Sequence, residues 1–71
     1  MENAALALRL TEAEQHLRSA EYQIERQHNW ISKLDKGGRS SMAERQALDT
    51  LHALHGTIVV ERDRLRKRMA H

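Results

Sequence analysis

Lys33-Leu34-Asp35-Lys36-Gly37-Gly38-Arg39-Ser40-Ser41-Met42-Ala43-Glu44 interrupts an otherwise continuous helical pattern near the middle of the sequence. Amphipathic helical patterns run up to it from one side and away from it on the other. Each glycine in a helix interior costs about 1 kcal/mol relative to alanine, so two in succession mark a break. Lys33 and Lys36 stand where cations favour the negative end of the helix dipole. Gly37 or Gly38 can take the left-handed conformation that closes a helix. Ser41 followed by Glu44 reads as a serine-x-x-glutamate capping box, with Ser40 as a competing N-cap one residue earlier. The stop and start signals are four or five residues apart, a normal length for a helix–helix connection.

Upstream, the apolar residues keep a three-four spacing: Leu6, Leu10, Ala13, Leu17, Ala20, Ile24, Gln27, Ile31 and Leu34. With Leu10, Leu17, Ile24 and Ile31 labelled a, the residues Leu6, Ala13, Ala20, Gln27 and Leu34 fall at d. Four heptads of this kind predict a long helix with a coiled-coil-like seam. The alanines at d admit a close neighbour. Gln27 is the polar member, either buried with a partner or at the edge of the seam and reaching water. Trp30 takes a g position beside the seam, where a tryptophan packs the hairpin or a dimer.

Downstream the pattern is less regular. Ala47, Leu48, Leu51, Leu54, Ile58, Val59, Leu65 and Met69 are its apolar members, with His55 and Arg62 on the same stripe. Gly56-Thr57-Ile58-Val59-Val60 is a poor helical stretch. A strand over Thr57–Val60 is nonetheless rejected, because nothing is available to pair with it. Gly56 is expected to mark a close helix crossing or a mild kink.

The expected fold is therefore all-α: a single helical hairpin domain over residues 1–71, with antiparallel helices at about 3–36 and 41–69. At a rise of 1.5 Å per residue the helices are about 50 Å and about 40 Å long. A chain this short buries little. At about 60 residues only about 60% of the unfolded surface is removed from water, and such domains lean on disulfides, metals or oligomerisation. The 71 residues include no cysteine, no proline and no phenylalanine, with one tryptophan and one tyrosine. Disulfides and thiolate metal sites are excluded. Pairing two hairpins into a four-helix bundle buries both stripes, so a homodimer is expected.

Charge is unevenly placed. Residues 1–36 carry a balance of −1 and residues 37–71 one of +3, most of it after Glu61. Arg62, Arg64, Arg66, Lys67 and Arg68 are the candidate phosphate contacts of a nucleic-acid-binding reading. Stacking aromatics are missing there, Glu61 and Asp63 interrupt the run, and dipole complementarity at a helix end explains it more simply. In an antiparallel hairpin these arginines lie beside Glu12 and Glu14. No apolar run approaches the ~20 residues of a membrane span, and Met1–Leu6 shows no basic signal-peptide region. A cytoplasmic location with no membrane contact is the expectation.

The histidines are His16, His28, His52, His55 and His71. His52 and His55 are three apart on one helix, and a turn centred near residue 38 brings His28 close to His52. These three are the candidate metal ligands of a metal-responsive bundle. No Glu-x-x-His or His-x-x-x-His motif accompanies them, so ordinary surface or seam-edge histidines, with His55 partly buried, are expected, and no cofactor. Nothing points to an enzyme: there is no cysteine nucleophile, no glycine-rich phosphate loop, and little room for a substrate pocket of several hundred Å³. The function expected is a small non-catalytic structural or protein-interaction module.

His16-Leu17, Glu21, Ile24-Glu25-Arg26-Gln27, Ile31, Leu34, Gly38, Ala47-Leu48 and Arg62-Asp63-Arg64-Leu65 together resemble a group of small helical-hairpin proteins of proteobacteria, notably rhizobia-like ones. The resemblance spans about three-quarters of the chain and implies a helical hairpin of bacterial origin. It brings no activity, cofactor or functional residue. In shape the expected dimer is similar to small plasmid-encoded RNA-binding hairpin dimers, a likeness of architecture from which no function follows.

Overall fold

A computed structural model describes residues 2–70, apart from the Glu2 side chain. His71 lies outside the described residues. Helix α1 spans Glu2–Lys36 and helix α2 spans Met42–Met69. No strand occurs among the described residues, and Thr57–Val60 is helical.

α1 is dense in Ala, Leu, Glu, Gln and Arg, residues that lose little side-chain freedom in a helix. Its end is specified by Gly38, which adopts φ +73°. The Gly38 N–H donates to the Asp35 carbonyl at 3.1 Å and the Arg39 N–H to the Leu34 carbonyl at 2.9 Å. This is the Schellman arrangement, with Gly38 at the left-handed position. Gly37 still donates to the Lys33 carbonyl at 3.1 Å, as an ordinary helical residue does. Only one of the two glycines is therefore conformationally required.

α2 starts at Met42 with Ser41 as its N-cap, but the expected capping box does not form. No side-chain cap hydrogen bond comes from Ser41. Its hydroxyl instead donates to Asp35 Oδ1 at 2.7 Å, and Glu44 is half-buried between the helices. Ser40 offers only a marginal substitute, its Oγ accepting from the Met42 N–H at 3.5 Å.

The helices run antiparallel in one register, from Asp35 beside Arg45 to Leu6 beside Leu65. On α1 the d row is buried at Leu6, Ala13, Ala20 and Leu34, and the a row at Leu17 and Ile31. Leu10 and Ile24 are half-buried. Gln27 is half-buried too, and its Nε2 donates to the Glu44 carbonyl at 2.9 Å. A residue that would be destabilising if unpartnered thus ties the seam to the first turn of α2.

From its N-cap onward α2 carries a three-four stripe of its own: Ser41, Glu44, Leu48, Leu51, His55, Ile58, Arg62 and Leu65 are all buried or half-buried. Leu65 is the most enclosed, at 2% exposure. Two expected seam members stand outside. Leu54 is 50% exposed and Trp30 49% exposed. Leu54 loses its place to His55, because only position 55 stays in line with Leu48, Leu51, Ile58 and Leu65. Trp30, one step from Ile31, falls on the rim.

Gly56 does not mark a crossing. A Cβ placed there would meet nothing within 4 Å, and the helix runs through it. Gly56→Ala is therefore expected to stabilise the hairpin by about 0.5–1 kcal/mol, which thermal melting reads as a Tm several degrees higher. An unchanged or lower Tm would show that the glycine has a structural task.

The result is a rod of 55 × 14 × 13 Å with a radius of gyration of 16.3 Å, against about 11 Å for a compact chain of this length.

Candidate functional site

Two helices side by side have two edges, and here the edges differ. One is formed by the e positions of α1, Glu14, Glu21, His28 and Asp35, and the α2 residues that face them. Along it Glu14 Oε2 meets Arg66 at 3.6 Å, Glu21 Oε1 meets His55 Nε2 at 3.8 Å, the rings of His28 and His52 stand edge-on with centroids 5.9 Å apart, and Asp35 pairs with Arg45. At two of these layers a carboxylate on α1 faces an arginine on α2, and between them an open groove of about 410 Å³ is walled by Glu21, Ile24, His28, His52 and His55.

The other edge is formed by the g positions. Arg9 and Glu61 close its outer end at 3.1 Å. Inward of them it carries His16, Gln23 and Trp30 from α1 and Ala47 and Leu54 from α2. Two open grooves run along it. One of about 600 Å³ includes Gln23, Gln27, Trp30, Lys33 and Leu51 in its walls. The other, of about 280 Å³, includes His16, Ala20, Gln23, Leu54 and Ile58. Gln23 borders both. The remaining large exposed apolar residues, such as Leu8 and Tyr22, lie singly on the outer faces, and Arg26 covers the Tyr22 ring at 5.7 Å. Single surface residues of that kind are normal, whereas the g edge gathers Trp30, Ala47 and Leu54 around the polar His16 and Gln23.

The turn holds a third cluster. Asp35 accepts from the Ser41 hydroxyl and from Arg45, whose Nε also donates to Ser41 Oγ at 2.9 Å. The Ser41 hydrogen bond holds the Asp35 carboxyl below its ordinary range against the opposing effect of desolvation, and the Arg45 guanidinium lowers it further. A depressed carboxylate contributes stability above its unfolded pKa and loses it as pH falls through the folded value. Acid titration is therefore expected to lower the Tm below about pH 4, with a shallower fall in Asp35→Asn. Parallel curves would remove Asp35 from the account.

The candidate metal ligands come only partly together. His28 and His52 are adjacent, but His55 is directed to Glu21. Among the described residues no group of three or more His, Cys, Asp or Glu converges to hold a metal. Of the basic cluster, Arg62 pairs with Asp63 at 3.1 Å, Arg64 with Glu61 at 4.0 Å and Arg66 with Glu14. Arg68 is also engaged, and Lys67 is exposed. No helix among the described residues is long and apolar enough to cross a membrane.

Sequence reasoning missed Asp35, whose signal was available: a carboxylate ten residues before an arginine across a five-residue turn. It also missed the unlike edges, which become visible only when both stripes are aligned. No protein-family model matches this chain, and neither a curated protein nor a solved structure is similar to it.

Proposed function

We propose that this chain is a small, non-catalytic protein–protein interaction module of the cytoplasm that works as a homodimer, two hairpins closing into a four-helix bundle. The observation that carries the reading is the open g edge with its exposed tryptophan and leucine. A rod only two helices thick leaves Trp30 and Leu54 half exposed beside partly covered Leu51 and Ile58. The chain exposes 5536 Å², about 1,000 Å² more than the roughly 4,500 Å² of a compact monomer of its mass. Pairing with a second hairpin removes surface of that order.

The acidic partners of Arg62, Arg64 and Arg66 favour this reading over nucleic-acid binding, because their charge is partly neutralised within the hairpin. Light scattering or sedimentation at micromolar concentration tests the proposal. Twice the chain mass is expected, with a Tm that rises with concentration. A folded, stable monomer would overturn it.

A further inference from the structure

Resting on the homodimer reading, we infer that the second copy binds at the g edge, antiparallel to the first, about a two-fold axis passing beside Gln23 and Leu54. The surface is self-complementary about that point. Trp30 lies seven residues to one side of Gln23 and His16 seven to the other, each about 10 Å along the helix. A two-fold there lays Trp30 into the groove formed by the partner's His16 and the partner's Ile58. Lys33 and Glu12 stand ten and eleven residues from Gln23 on the same side of α1. Neither engages an ion pair among the described residues, and the same rotation brings each opposite the other in the partner.

The e edge also holds a groove, of about 410 Å³ between Ile24, His28, His52 and His55, but it is flanked by the Glu14–Arg66 and Asp35–Arg45 pairs, and a second copy would have to desolvate charges already matched within the hairpin. Area agrees as well. A side 55 Å long and 14 Å wide presents roughly 770 Å², close to the ~800 Å² per partner of a standard stable interface. An isologous contact of this kind closes on itself and stops at two copies.

The test uses the full chain, whose lack of cysteine allows single cysteines to be introduced cleanly. Sedimentation is expected to show Trp30→Glu raising the dimer Kd about tenfold or more, while Leu8→Glu, with the same charge change on the outer face, stays dimeric. Glu12→Lys and Lys33→Glu are each expected to weaken the dimer, and their combination to restore it. Gln23→Cys is expected to form a disulfide-linked dimer under mild oxidation, since only residues beside the axis can meet their own copies; Glu21→Cys on the other edge is not. A wild-type monomer would overturn this inference together with the dimer reading. A dimer that tolerates Trp30→Glu, or that cross-links through Glu21→Cys and not Gln23→Cys, would overturn the inferred face alone.

Discussion

Leu65→Ala is expected to be the most damaging single truncation in the chain, lowering stability by about 2–5 kcal/mol. Leu65 is 2% exposed and packs with Leu6, Ala13 and the partly buried Leu10. Two of the surrounding layers are already small or polar, Ala13 on one helix and Arg62 on the other, so little is available to collapse into the vacated space. Total stability of a small domain is only 5–15 kcal/mol, and each kcal/mol moves the Tm of a domain this size by about 4–8 °C. Circular dichroism at fixed protein concentration should show a Tm lower by at least about 8 °C. Leu8→Ala, removing the same side chain from a position 61% exposed, should change it by no more than about 0.5 kcal/mol. Equal effects would mean that the two helices do not pack as described.

The second large effect is expected at Gly38. A residue with a Cβ pays about 1–2 kcal/mol in the left-handed region, and a β-branched one more, so Gly38→Val should lower the Tm further than Gly38→Ala. Gly37→Ala should be close to neutral, because a Cβ there meets the Lys33 and Leu34 carbonyl oxygens at 3.5 and 3.6 Å, ordinary contact distances. Replacing both by alanine removes the stop signal and favours one continuous helix, so size-exclusion chromatography should shift toward an extended or swapped oligomer. If the double variant keeps the parent size and Tm, the pair is not the hinge.

α1 was legible because its stripe is written in Leu, Ile and Ala with one exception, Gln27. α2 was legible as a helix and largely in its facing, since His55 and Arg62 were expected on its stripe and are half-buried there; Leu54, which hydropathy adds to that stripe, is the member that falls outside. What sets the stripe is α1: a straight partner fixes a line along α2, and polar residues on that line are accepted when their heads find partners or water at the edges. The capping box failed for a related reason. A serine hydroxyl at an N-cap competes among acceptors, and Asp35, delivered by the Schellman turn, is charged and close. That acceptor belongs to the preceding helix, so no local reading of Ser41–Glu44 could reveal it. The g edge was glimpsed only through Trp30; its continuity depends on Ala47 and Leu54 from the other helix. Function was less legible than fold because the residues concerned form a surface, and a surface shows its use only against what covers it.

The clasp at the turn has a consequence for the order of events in folding. Asp35 is six residues from Ser41 and ten from Arg45, whereas Arg9 is 52 residues from Glu61. Closing a short loop costs less entropy than closing a long one, and local contacts form early. The hairpin is therefore expected to zip from Gly38 outward and to unzip from its open end. Stopped-flow measurements should find Asp35 and Gly38 variants slow to fold, and Leu65→Ala quick to unfold with its folding rate nearly unchanged. Amide exchange should be fastest at the open end of the rod and slowest toward the turn.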